Sequence, residues 1–142
     1  NREKEKKGME KIAHCIKERK QTIVEHLEGT AKLAKEYVKD FQIENVGEYA
    51  YITGLAHDIG KYSDLFQKKI NGKPEIQVDH STAGAIEMTK NKMAAAAFCV
   101  AGHHDSLLKP ENTVLPYPLP DYPFFLLLPL TMHLINILHY HT

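Results

Sequence analysis

Cysteine is scarce. The chain has two, Cys15 and Cys99, and neither belongs to a Cys-x-x-Cys pair. A disulfide-stapled fold needs more, so both read as reduced thiols of a cytosolic protein. Net charge is missing as well: 18 basic residues balance 18 acidic ones. A protein that holds nucleic acid by itself usually carries a basic stripe. The basic clusters at residues 2–7, 17–20 and 68–69 read instead as solvated faces or tails. A nucleic-acid substrate would therefore have to be delivered by something else. The charged N-terminus has no apolar signal-peptide core. A spanning helix needs roughly 20 apolar residues. The one candidate, residues 124–138, is shorter and is broken by Pro129, His133 and Asn136. It reads as a buried helix, with no membrane role. Finally, Val and Ile nowhere alternate with the period of a strand, which leaves an all-α fold.

What is present fits a single domain over residues 1–142, at 43% hydrophobic and 25% charged. Residues 1–12 are charged and expected to fray, apart from an apolar lead-in at 12–16. Thr22 and Glu25 have the spacing of a capping box. Behind them Ile23, Leu27, Thr30, Ala31, Ala34, Tyr37, Val38 and Phe41 recur at helical spacing, which predicts a helix from 23 to about 41. A second stripe, Val46, Tyr49, Ala50, Thr53, Ala56 and His57, predicts another helix, with Gly60 as its C-terminal cap. Ser63 is expected to cap a short helix to Ile70, and Asn71-Gly72-Lys73-Pro74 to form a turn. Further helices are expected from His80 to about Lys90 and from Met93 to His104. The second of these is apolar almost all round and should be central. Prolines punctuate a loop at 109–123, and residues 124–142 supply a last helix.

Histidine is the residue that stands out. Leu55-Ala56-His57-Asp58-Ile59-Gly60-Lys61 places an imidazole directly before a carboxylate, a pair able to grip one metal ion and bridge to a second. His26 precedes it. His80 follows in Val78-Asp79-His80-Ser81, and His103-His104 in Ala101-Gly102-His103-His104-Asp105. Each lies in or beside an apolar helical segment, so separate helices can aim them at one point. Taken singly, each has a plainer explanation. A lone histidine beside an apolar stripe is more often packed than a ligand, and a histidine doublet at a helix C-terminus is favoured by the helix dipole. Lys61 taken alone reads equally well as a solvated lysine. The joint order argues for a shared site.

That order resembles the HD superfamily of metal-dependent phosphohydrolases, whose fold is a helical bundle. The stretches Gln21 to Ala31, Gly54 to Ser63, Phe66-Gln67, Val78 to Ala85 and Ala101 to His104 look like the HD nuclease domain of the type I CRISPR interference helicase-nuclease. His14, in Ile12-Ala13-His14, also matches an early Ala-His of that family but is not carried over as a ligand. The resemblance implies a two-metal site. His26, His57 and Asp58 would bind one ion; Asp58, His80, His103 and His104 would bind the other. Imidazole-rich ligation suits first-row transition ions, and the family uses iron, nickel, cobalt or manganese. Two cations about 3.5–4 Å apart can acidify a water that attacks a phosphodiester. Asp58 and Lys61 would be the catalytic residues, Lys61 by offsetting charge on the phosphate. The implied substrate is single-stranded DNA, and the implied partners are a CRISPR helicase and surveillance complex.

The chain departs from this family late. Where the family has an aspartate that closes the first metal site, residues 134–139 read Leu-Ile-Asn-Ile-Leu-His, with Asn136 near the expected place. An amide is a poor substitute ligand, so the site bounded by His26 and His57 is expected to be the weaker. Two other readings stay open. One is an HD phosphohydrolase of nucleotides. The other is a catalytically impaired domain that serves for docking.

Overall fold

A computed structural model describes residues 10–103. The expected Pro-rich loop, the last helix, His104 and Asn136 lie outside these residues, as do residues 1–9. Within them the chain is mostly helical. Helix α1 spans Ile23–Tyr37, α2 Val46–Ala56, α3 Asp64–Ile70, α4 Ser81–Lys90 and α5 Ala94–Gly102. A 3₁₀ turn at Ile59–Tyr62 links α2 to α3. No helix among the described residues is long and apolar enough to cross a membrane.

Local chemistry sets the helix starts. Thr22 Oγ1 accepts from the Glu25 amide at 3.1 Å, while Glu25 Oε2 accepts from the Thr22 amide at 3.0 Å. This reciprocal cap begins α1 where the sequence places it. Ser63 caps α3 by accepting from the Phe66 amide at 3.2 Å. The end of α1 comes earlier than the periodicity suggests, at Tyr37, and Phe41 packs from the following turn.

Glycines let the helices approach closely. A Cβ on Gly54 would lie 2.6 Å from the Ala31 Cα, so α1 and α2 meet backbone to backbone there. Gly60 does not act as a left-handed helix cap, because its φ is not positive. It lies inside the 3₁₀ turn, and a Cβ there would fall 2.3 Å from the His80 carbonyl oxygen. Its small size lets the segment before α4 cross over the turn.

Ala34, Val38, Val46, Ala50 and Cys99 form one apolar cluster. Ala56, Met88, Ala96 and Val100 form a second, between α2, α4 and α5. Helix α5 is buried at Ala96, Cys99, Val100 and Gly102, as its composition predicts.

A two-stranded antiparallel hairpin, β1 Ile12–Ile16 and β2 Arg19–Thr22, precedes the helices. The sequence reading contains no strand here. Five residues are too few for a clear alternation, β2 is wholly polar, and the turn uses Lys17 at φ 58° where glycine or asparagine would have signalled it. The expected fray therefore does not extend to residues 11–12. Ile23 N donates to the Lys11 carbonyl at 3.0 Å, and Ile12 N donates to Gln67 Oε1 at 3.0 Å. Ile12 pairs with Thr22 but His14 pairs with Gln21, so Ala13 is an extra residue in β1. Such a bulge re-aims the side chains around it.

Candidate metal centre

Asp58 lies between His57, which ends α2, and the 3₁₀ turn, and is fully buried. Its two carboxylate oxygens organise everything near it. His26 Nε2, from the buried stripe of α1, lies 2.8 Å from Oδ2. His57 Nε2, at the end of α2, lies 3.3 Å from the same oxygen. His103 Nε2, at the end of α5, lies 3.1 Å from Oδ1, and His80 Nε2, just before α4, lies 3.4 Å from it. Five of the six residues expected at the metal site thus converge; His104 lies outside the described residues. His57 stands between the two sides. Its Nε2 is 3.1 Å from His26 Nε2, and its ring centroid is 5.1 Å from that of His103.

The hydrogen positions follow from the backbone. His57 Nδ1 is 2.6 Å from the Gly54 carbonyl oxygen, and His103 Nδ1 is 2.6 Å from that of Val100. A carbonyl only accepts, so each Nδ1 carries the hydrogen. In the neutral ring each Nε2 then presents a lone pair; that of His103 faces Asp58 Oδ1, and that of His57 faces His26 Nε2, with Asp58 Oδ2 3.3 Å away. A cation among such acceptors relieves their mutual repulsion in a dry interior. Donating the far ring nitrogen to a carbonyl is also how proteins orient metal-binding histidines. Donor atoms of His57, Asp58 and His103 all lie within 4.8 Å of one another, as do those of His14, His26 and Asp58. The residues present fit a bound divalent ion.

Electrostatics favour neutral rings at His26 and His14. Burial pushes His26 below its ordinary value, against the opposing hydrogen bond to Asp58. His14 is pushed down to about 4, first by burial and then by the nearby Lys61.

Lys61 is not solvated. It is 2% exposed, and its Nζ lies 2.7 Å from Asp58 Oδ2. The 3₁₀ turn brings this about by folding residue i+3 back over residue i; Lys61 N donates to the Asp58 carbonyl at 2.9 Å. Burial lowers the lysine's pKa, while Asp58 opposes that shift. His14 lies outside the expected set of ligands. Its Nε2 lies 3.0 Å from Lys61 Nζ, and its ring stands edge-on to His26 with centroids 4.7 Å apart. Only its match to an early Ala-His of the resembled family pointed to it, since the bulge that aims it leaves no sequence signal.

A family model for the HD domain matches residues 23–122, more than half of the chain. The chain belongs to the HD domain family. No curated protein and no solved structure matched it. HD domains are generally metal-dependent phosphohydrolases, and the buried histidine and aspartate cluster of this one can hold a metal.

Proposed function

We propose that this HD domain cleaves phosphodiester bonds of single-stranded DNA with two divalent transition-metal ions. In this reading the strand is delivered by a CRISPR helicase working with a surveillance complex. The observation that carries the proposal is the division of labour at Asp58. Oδ2 faces His26 and His57, and Oδ1 faces His80 and His103. In this reading one carboxylate would serve two neighbouring cation positions, an arrangement suited to hydrolysis of a phosphodiester. Bound ions would supply Lewis acidity toward a water and toward the phosphate oxygens.

The chain's own residues do the rest. The carbonyls of Gly54 and Val100 fix the tautomers of His57 and His103, so their Nε2 atoms stay available as donors to metal. Asp58 contributes the negative charge that holds cations in a buried site. Lys61 places its amine beside Oδ2, where as an ammonium it can offset charge on a phosphate. The balanced net charge supports delivery by a partner, because the chain has little with which to grip a duplex. A flexible strand reaches a recessed site more readily than a rigid duplex does.

The test is a cleavage assay on labelled single-stranded and duplex DNA with manganese, cobalt, nickel or ferrous iron. Metal-dependent cutting of the single strand is expected, with little cutting of the duplex and none by Asp58→Ala. A protein that takes up these ions yet cuts neither substrate contradicts the nuclease reading.

A further inference from the structure

We propose that His14 is a positioning residue for Lys61, holding its ammonium beside the Asp58 cluster so that it meets a phosphate of the substrate. This rests on the phosphodiester chemistry proposed above and adds a residue to it.

Lys61 Nζ lies 2.7 Å from Asp58 Oδ2 and 3.0 Å from His14 Nε2. An ammonium only donates, so His14 accepts through Nε2 and carries its hydrogen on Nδ1. The two contacts respond differently to a cation at Oδ2. A divalent ion held there would compete with the ammonium for the same oxygen and repel it at short range. The bond to His14 involves a neutral acceptor outside that competition. It keeps Lys61 close once Asp58 is engaged elsewhere. Phe66 limits the alternatives, with its ring centroid 5.6 Å from Nζ.

The hairpin is built to hold His14 there. The bulge at Ala13 lets consecutive residues face inward, Ala13 into the core beside Ile23 and Leu27, and His14 onto Lys61. Gln67 ties the two segments together. Its Oε1 accepts from Ile12 N at 3.0 Å, and its Nε2 donates to the carbonyls of Ile12 and Lys61, both at 2.9 Å. Strand β1 and the turn carrying Lys61 therefore share one clamp. His14 and His80 are half-buried, whereas His26, His57, Asp58 and His103 are buried, so among the described residues the His14 edge is one of two at which the cluster nears solvent.

The experiment compares the whole chain with His14→Phe, which keeps a ring against His26 but removes the acceptor, and with His14→Gln, which restores one. Circular dichroism checks folding, and His14→Ala replaces the Phe variant if the larger ring does not pack. The first arm needs no metal. An amine-acylating reagent labels the protein, and peptide mass spectrometry follows Lys61. Labelling is expected to rise by about tenfold in His14→Phe and to return toward the parent in His14→Gln, the size of a lost charge-assisted contact.

The second arm titrates thymidine monophosphate into manganese-loaded protein. Affinity is expected to fall by about tenfold in His14→Phe and to recover in His14→Gln, with manganese stoichiometry equal in all three. Loss of a manganese ion from His14→Phe makes His14 a ligand and overturns the proposal. Unchanged nucleotide affinity overturns it too. If the parent takes up no manganese, cobalt takes its place; if it takes up none of manganese, cobalt, nickel and ferrous iron, the proposed function fails, and the positioning role stands or falls on the labelling alone.

Discussion

The α1–α2 pair has two unlike ends. At one, Ala34 and Val38 meet Val46 and Ala50, with Cys99 of α5 closing an apolar cluster in which every side chain is buried. Burial there pushes the Cys99 thiol up to about 12, as expected of an inert core residue. At the other end the same helices bury His26, His57 and Asp58, joined by His103 and Lys61. The apolar end lowers the free energy of folding without further help. The polar end removes charged and polar groups from water, which costs free energy unless they are paired or coordinate metal. One end of the bundle thus stabilises the fold, and the other is built for a ligand.

The largest effect should come from removing the residue on which the polar end converges. Asp58→Ala is expected to weaken metal binding by more than about a hundredfold, since losing even an outer partner of a ligand costs 10–100-fold. No single histidine change should match it. Metal content of the purified variants checks this, and an Asp58→Ala protein that retains its ions would separate Asp58 from the site.

Two core substitutions sharpen the contrast. Val38→Ala should cost about 2 kcal/mol of stability through the cavity it leaves. It should leave metal affinity unchanged, because Val38 belongs to the apolar end. Gly54→Ala should cost about 3 kcal/mol, because its Cβ would meet the Ala31 backbone at 2.6 Å. It should weaken metal binding as well, since forcing α1 and α2 apart displaces both His26 and His57. Denaturant melts and metal titrations of the two variants read this out; equal effects on metal would erase the distinction between the ends.

A smaller effect should appear with pH in chelator-treated protein. His14 falls from 6.5 to about 4 on folding, so between those values the unfolded chain binds more protons. Stability from this group is therefore fully present above about 6.5 and is lost as pH falls through about 4. His26, also lowered by burial, acts in the same sense. Denaturation midpoints measured across this window should fall with acid, and His14→Phe should flatten part of the slope. A flat profile in the parent would mean that these rings are not held neutral.

These ends differ also in how well they read from sequence. The apolar stripes of α1 and α2, the Thr22–Glu25 cap and the central α5 follow from local periodicity and short-range bonds. His26, His57, Asp58, His80 and His103 were legible as an ordered set, because their spacing along the chain survives whatever the helix packing. Three features were not. The hairpin is short and its turn lacks the usual residues. Lys61 looked as much like a solvated lysine as a working one until the 3₁₀ turn folded it onto Asp58. Gly60 looked like a helix cap, but its role is to make room for the His80 backbone, a contact between segments 20 residues apart. Each depends on a long-range or irregular backbone feature that no local pattern encodes.

The most direct test of the metal centre is a cobalt titration of the whole chain, followed by the visible absorption of the bound ion beside Asp58→Ala. The structure predicts saturable uptake with nitrogen-rich ligand-field bands in the parent and their loss in the variant. A parent protein that gives no such bands, or a variant that gives the same ones, would contradict the account.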